Sequence, residues 1–165
     1  MKKLKRVARF FVSVACLTIC VLFSIDLMHR ETDTYEVYVS QCIDGDTVVF
    51  RNQDESFVAR FLAVNAPEID KNEYFAKEAK DYTCKLLKNA NTIVFEKDPK
   101  SSEMDPYYRR LVWVWIDGEL LQERLVEGGY VRVDYVYENY LYVDALYENE
   151  EIAKQNGLGI WRVNE

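Results

Sequence analysis

The chain has 165 residues, of which 49% are hydrophobic and 30% charged. This size and composition predict one globular domain and argue against a disordered or linker-dominated chain. The sequence contains a single histidine, His29, which argues against histidine-based zinc sites, Ser-His-Asp triads and a histidine general base. An enzyme of this composition has to work with carboxylates, arginines, tyrosines or a hard metal ion.

Charge is distributed unevenly along the chain. Residues 1–33 carry six lysines and arginines against three acidic residues, whereas the remainder carries 15 basic and 25 acidic residues. Nucleic-acid-binding domains usually present a basic face, so the bulk charge argues mildly against that class. A local basic cleft or a bound cation would reverse the field where it matters.

The N-terminal segment has the pattern of a membrane-targeting sequence. Five basic residues precede an apolar run over residues 10–25, which would be roughly 24 Å long as a helix against a bilayer core of about 30 Å. We predict a signal peptide or membrane anchor over residues 1–28 and a linker over 29–34, with a buried core helix as the alternative. The positive-inside rule then predicts a secreted or membrane-anchored domain outside the cytoplasm.

Residues 35–165 are predicted to form the domain. Extended patterns predict strands at 35–43, 47–50, 57–64, 92–96 and 111–116, and helical periodicity predicts helices at 73–89, 120–126 and 139–155. Pro67 ends the third strand. The order predicts a mainly β, α+β fold: a five-stranded OB-fold barrel with about three helices, preceded by the N-terminal apolar helix. Such barrels bind oligonucleotides or oligosaccharides on one face.

Two of the four cysteines, Cys42 and Cys84, lie in the predicted domain. Export would permit a bridge between them, but two cysteines alone do not establish one, and we expect them to remain unpaired. The chain has no CxxC pair, which argues against structural zinc.

The first candidate site combines a turn and a strand end. Asp44-Gly45-Asp46 places two carboxylates on a tight turn, where they can face a hard cation or simply connect a hairpin. Arg60 lies in an apolar strand, where it either meets an anion or lies at the surface. Asn65 and Glu68 follow where that strand ends.

The second candidate site combines arginines with tyrosines. Arg109 and Arg110 follow Tyr107 at a strand entrance and either clamp a phosphate or remain solvated. Tyr135 and Tyr137 lie on one side of an extended segment and either stack on a base or pack in the core.

Together these motifs resemble the staphylococcal nuclease (thermonuclease) family. The resemblance rests on residues 43–47, 60–68, 107–109 and 135–137, whose order and internal spacing match, and on the closing segment 157–161. It covers roughly residues 35–161, nearly the whole predicted domain.

The resemblance implies a calcium-dependent phosphodiesterase, an endonuclease that cuts DNA or RNA, and we expect a monomer. It assigns calcium ligands to Asp46, Asn65 and the carbonyl of Ala66, phosphate binding to Arg60 and Arg109, the general base to Glu68, and the nucleotide pocket to Tyr107, Tyr135 and Tyr137.

The chain also departs from the family pattern. Asn65 stands where the family usually has Asp, which removes one negative charge and predicts weaker calcium binding. Tyr108 replaces the glycine that usually precedes the arginine. These departures leave an alternative: a catalytically weak or inactive OB-fold nucleic-acid-binding module tethered to the membrane.

Overall fold

The computed structural model describes residues 32–33 and 37–162. The described strands are β1 (Thr32–Asp33), β2 (Tyr38–Cys42), β3 (Thr47–Arg51), β4 (Ser56–Phe61), β5 (Val64–Asn65), β6 (Ile93–Glu96), β7 (Arg110–Ile116), β8 (Glu119–Leu120) and β9 (Arg132–Val133). The described helices are α1 (Ala76–Asn89), α2 (Leu121–Glu127), α3 (Val143–Gln155) and a 3-10 turn at Gly159–Trp161. The predicted mixed α+β class and the three helices are therefore confirmed.

The N-terminal prediction falls mostly outside the described residues. The signal or anchor over residues 1–28 and most of the linker over 29–34 stay predictions. Two residues of that predicted linker form β1, which pairs with β6. Within the part of the chain that is described, no helix is long and apolar enough to cross a membrane.

The sheet is OB-like but open. Its hydrogen-bonded order is β1-β6-β7-β4-β3-β2, with β8 paired to β7. The β4–β7 pairing is parallel and the others are antiparallel. The predicted strands correspond to β2, β3, β4, β6 and β7, but the closed barrel that we expected is not formed.

A cavity lies beside β2, β6 and the end of α1. Val39 of β2, Leu87 of α1 and Ile93 of β6 line this cavity, which has a volume of about 630 Å³. In the described residues, β2 and β6 share no hydrogen-bonded ladder.

The predicted third strand is divided into two. β4 ends at Phe61, and a turn follows in which Ala63 has a φ of 57°. The chain then re-enters an extended conformation as β5, which pairs with β9 and not with the main sheet. This turn aims the segment after β4 away from the sheet and toward the candidate site.

The core lies where the sheet packs against the helices. Its largest fully buried side chains include Phe50, Phe61, Trp113, Leu121 and Leu146. Full burial of one such apolar side chain stabilises the fold by about 1.5–3 kcal/mol. The core is therefore continuous from β3 and β4 through β7 to the two C-terminal helices.

One buried carboxylate joins the core to α3. Asp98 accepts a hydrogen bond from Trp113 Nε1 at 3.0 Å and from the Leu141 N–H at 2.7 Å. It thereby ties the loop after β6 to the segment that leads into the last helix.

Cys42 and Cys84 form a disulfide, so the expectation that they stay unpaired was wrong. Their Cα atoms are 6.0 Å apart. The bridge joins the end of β2 to α1, which packs over the turn between β2 and β3. The helix and the turn pack closely, as shown by the 3.0 Å that would separate a Cβ added at Gly45 from Ala79 Cβ.

Loss of this disulfide should destabilise the domain substantially. The bridge spans 42 positions of sequence, and the chain-entropy relation gives about 4 kcal/mol of unfolding free energy for a loop of that size. We expect the Cys42→Ser/Cys84→Ser variant to show this loss in urea unfolding. The same variant should no longer respond to reductant, whereas the wild type should. Equal stability of the two proteins without reductant would contradict the prediction.

Candidate functional site

A cavity of about 490 Å³ opens beside the end of β4. Seven of the nine predicted site residues line it: Arg60, Asn65, Glu68, Tyr107, Arg109, Tyr135 and Tyr137. The other two do not line it but lie behind Arg60 and Asn65, in the part that we call the base of the cavity. There Asp46 contacts Arg60 and accepts the Ala66 N–H at 2.6 Å. The structure therefore brings both candidate sites together around one cavity.

The base of the cavity is the turn between β2 and β3. Asp46 is 4% exposed, and its Oδ1 atom accepts a hydrogen bond from Thr47 Oγ1 at 2.8 Å. The carbonyl of Gly45 accepts one from Thr83 Oγ1 of α1 at 2.7 Å. Glycine is required there, because a Cβ would meet Ala66 Cβ at 2.9 Å. The turn is fixed from both sides and holds the Asp46 carboxylate in place.

Arg60 is buried, so the interpretation as a surface arginine is wrong. Its Nη1 atom donates to the carbonyls of Phe61 and Val64, each at 2.8 Å. Its Nη2 atom lies 3.3 Å from Asp46 Oδ2 and 3.5 Å from Asn65 Oδ1. The turn after β4 thus supplies two carbonyl acceptors that orient the guanidinium group toward the cavity.

Asn65 is held by a residue that the sequence analysis did not single out. Its Nδ2 atom donates to Asp134 Oδ2 at 3.2 Å, and the same oxygen lies 3.3 Å from Arg132 Nε. Burial alone would raise the pKa of Asp134, but hydrogen bonds from the Tyr135 N–H, Arg132 and Asn65 lower it. The only sequence signal for Asp134 was an acidic residue directly before the tyrosines.

Arg109 is positioned by a loop built around Asp105. Asp105 Oδ1 accepts the N–H groups of Tyr107 at 2.9 Å and Arg109 at 3.0 Å. Its Oδ2 atom accepts Arg109 Nε at 2.6 Å. Burial would raise the pKa of Asp105, yet these bonds lower it overall, so the carboxylate stays charged and holds the loop. Tyr108 adopts the left-handed conformation, with φ 59°.

The neighbouring Arg110 does not line the cavity. It forms an ion pair with Glu55 and lies 4.0 Å from the Phe57 ring centroid. In the described structure, therefore, the two arginines do not form a joint clamp, and Arg109 alone of this pair lines the cavity.

The three predicted tyrosines lie at the cavity mouth and not in the core. Tyr107, Tyr135 and Tyr137 are 78%, 48% and 75% exposed. The centroids of the Tyr135 and Tyr137 rings are 6.4 Å apart. Exposed rings beside a cavity that contains two arginines suit stacking on flat ligands.

Three further carboxylates lie close enough to Glu68 to affect its pKa. Burial raises the pKa of Glu68, nearby Lys71 opposes this, and the charges of Asp44, Asp46 and Asp70 raise it further. Burial also raises the pKa of Asp44, with the charges of Asp46 and Asp70 adding to the effect. A cation would relieve this repulsion.

The donor chemistry fits a hard cation, because it consists of carboxylate, amide and backbone oxygens. No group of three or more acidic, histidine or cysteine side chains able to hold a metal ion occurs among the described residues. A cation here would therefore depend on the amide oxygen of Asn65 and on backbone or water oxygens in addition to Asp46.

The fold and cavity define an α+β, OB-like protein in which buried and tethered arginines face crowded carboxylates. The family model for staphylococcal nuclease homologues matches residues 58–163, and the chain belongs to this family.

Relatives of this chain include two endonucleases of Bacillus subtilis and a staphylococcal thermonuclease. Endonuclease YncB is 35% identical over 130 residues, covering 76% of this chain and 61% of that protein. The SPbeta prophage-derived endonuclease YokF is 33% identical, covering 78% and 45%. The thermonuclease of Staphylococcus hyicus is 30% identical, covering 84% and 81%. The chain thus spans only about half the length of the two Bacillus proteins.

Asp105→Ala should loosen the Arg109 loop. It removes the acceptor of three hydrogen bonds at a nearly buried side chain, which we expect to lower the unfolding free energy by about 1–3 kcal/mol. Asp105→Asn keeps an oxygen for the two backbone N–H groups and should lose less. The stability advantage of the wild type over Asp105→Asn should be present at neutral pH and be lost as the pH falls through the lowered pKa of Asp105. Urea unfolding of the three proteins measures it, and equal losses in both variants would contradict this account of the loop.

Proposed function

We propose that this chain is a nuclease that hydrolyses phosphodiester bonds of DNA or RNA with calcium as its cation. One observation carries the proposal: Arg60, Glu68 and Arg109 line a single cavity whose base holds Asp46 against Ala66. Membership of the staphylococcal nuclease homologue family and the names of the Bacillus endonucleases support the same activity.

The arginines would stabilise charge on the phosphate. Hydrolysis adds negative charge to a pentacoordinate phosphorus, and preoriented guanidinium groups stabilise such charge in a site shielded from water. The Nη1 atom of Arg60 is already bound to two backbone carbonyls, and Nη2 lies against Asp46 and Asn65, so a phosphate oxygen would share Nη2 with these two side chains. Arg109 is tied through Nε to Asp105, which leaves its terminal nitrogens for a phosphate oxygen.

Glu68 is the residue best suited to accept a proton from water. It lines the cavity, and burial with neighbouring carboxylates raises its pKa. A carboxylate of raised pKa is a stronger base than an ordinary glutamate. Asp46 is less suited, because it is already paired with Arg60 and would serve as a ligand of the cation.

A bound calcium ion would supply Lewis-acid stabilisation of the phosphate oxygens. The residues that would hold it are Asp46, Asn65 and Ala66, and their oxygens match the preference of calcium for oxygen ligands. The resulting local positive charge would compensate for the acidic character of the domain.

The exposed tyrosines support a nucleic-acid substrate. Base stacking on aromatic rings stabilises binding by about 1–3 kcal/mol per base and depends little on sequence. Tyr135 and Tyr137 offer two such rings beside the Arg60 guanidinium, which lies 5.4 Å from the Tyr135 ring centroid. A binding module without catalysis is less favoured, because it has no need of Glu68 in the same cavity.

We also propose that the domain acts outside the cytoplasm. The Cys42–Cys84 bridge supports this location, because disulfides persist mainly in oxidising compartments. The basic and apolar N-terminal segment supports export by a signal peptide or tethering by a membrane anchor.

Cleavage should require calcium. We expect the full chain to cut single-stranded DNA at millimolar calcium, on the order of the weak extracellular calcium sites, and to stop when EDTA is added. A gel assay with calcium added back after EDTA measures this dependence. Intact DNA under all conditions would favour the binding module, and cleavage in EDTA would contradict the role of the cation.

Glu68→Gln and Arg109→Ala should each reduce cleavage about 100-fold to 1,000-fold, the usual range for removing one group that stabilises developing charge. Glu68 lines the cavity, so Glu68→Gln should change the thermal unfolding temperature little, whereas Arg109→Ala also removes the ion pair with Asp105 and should lower it modestly. Glu78→Gln on the exposed face of α1 and Arg124→Ala on α2 remove the same side-chain types away from the cavity. These controls should cleave like the wild type, and wild-type cleavage in either site variant would refute the assigned roles.

A further inference from the structure

The side chain of Asn65 has a feature that a carboxylate at the same position would lack. Its amide has an acceptor oxygen at one end and a donor nitrogen at the other. A cation can bind only the oxygen end, whereas either oxygen of an aspartate would serve. With Asn65 at this position, the site needs something that fixes which end of the amide faces inward.

The surroundings of Asn65 satisfy one amide orientation. The Nδ2 atom lies 3.2 Å from Asp134 Oδ2, an acceptor, and the Oδ1 atom lies 3.5 Å from Arg60 Nη2, a donor. A flipped amide would set its oxygen against a carboxylate and its NH₂ group against a guanidinium. Both contacts would then be repulsive.

Asp134 is itself held in position. Its N–H donates to the Ala63 carbonyl at 3.1 Å, next to the β5–β9 pairing that places Asn65 opposite Arg132. Its Oδ1 atom accepts the Tyr135 N–H at 2.8 Å, which leaves Oδ2 for Asn65 and Arg132. The acceptor is therefore anchored through the backbone of Ala63 and Tyr135.

We propose that Asp134 is a positioning residue for the cation site. Asp134 accepts the amide N–H of Asn65 and so directs the amide oxygen toward the cation. The inference rests on the proposed function, since it assumes a cation at Asn65. The inference adds the Asp134 carboxylate to a site whose predicted ligands include one carboxylate, that of Asp46. Residues outside the direct ligand set that orient the ligands commonly change metal affinity when substituted.

The test separates the hydrogen bond of Asp134 from its charge. Asp134→Asn removes the charge but keeps an oxygen that can accept from Asn65, whereas Asp134→Ala removes both. The calcium Kd, measured by isothermal titration with the full chain, should be about threefold to tenfold weaker for Asp134→Ala than for Asp134→Asn, the equivalent of one net hydrogen bond. The calcium concentration for half-maximal cleavage should rise in the same order.

The same comparison in the Asn65→Asp background tests whether Asp134 acts through the amide. Both oxygens of a carboxylate at position 65 can bind a cation, so its orientation does not matter. The calcium Kd values of the two Asp134 variants should then agree within about twofold, the scatter expected of independent sites. Arg132→Gln breaks the ion pair with Asp134 without touching Asn65, and its calcium Kd should match the wild type.

Each outcome decides the proposal. A ratio below about twofold with Asn65 present, or the same ratio in both backgrounds, would overturn it while leaving the nuclease proposal intact if the wild type binds calcium and cleaves. A wild type that neither binds calcium nor cleaves would overturn both. Thermal unfolding in EDTA identifies variants that fail to fold, and Asp134→Ser, with a side chain too short to reach Asn65, replaces Asp134→Ala in that case.

Discussion

The buried guanidinium group of Arg60 is the interaction on which the site depends. A buried cation is stable only when it is paired and its hydrogen bonds are satisfied, and Arg60 meets both conditions through the turn after β4 and Asp46. The turn conformation at Ala63 brings the Val64 carbonyl back to Arg60. The same turn starts β5 and so places Asn65 beside Arg60. One ion pair therefore fixes the β4–β5 turn, the base of the cavity and the direction of the arginine.

This arrangement also reconciles an acidic domain with the proposed nucleic-acid substrate. The net charge of −7 describes the whole molecule, whereas a phosphate in the cavity would meet the two arginines within a few ångströms. Salt screens charges beyond about 10 Å at 0.1 M, so the local groups dominate the field at the phosphate. The distant acidic surface would instead slow the approach of nucleic acid at low salt.

Sequence patterns predicted the helices and strands well where the periodicity was strong. They predicted the structure poorly where contacts between residues distant in sequence determine it. The alternation and apolar runs gave β3, β6, β7 and α1 within a few residues. The division at Ala63 was missed, because the conformation there is set by carbonyl acceptors for Arg60 and not by local propensity. The disulfide was missed for a similar reason, since the packing of α1 on the turn at Gly45 brings Cys42 and Cys84 together. The resemblance brought the nine site residues to notice, but Asp105 and Asp134, which hold Arg109 and Asn65, carry no motif of their own.

The hydrogen bond between Asn65 and Asp134 bears on the replacement of the usual aspartate by Asn65. Counted along the sequence, Asn65 removes a negative charge from the cation site. In the folded protein, however, the Asp134 carboxylate lies 3.2 Å from the Asn65 amide nitrogen, and its lowered pKa keeps it ionised. An aspartate at position 65 would face Asp134 at this distance, and two carboxylates so close repel each other. The amide avoids that repulsion in the cation-free protein, while the charge of Asp134 still polarises its oxygen toward the cavity.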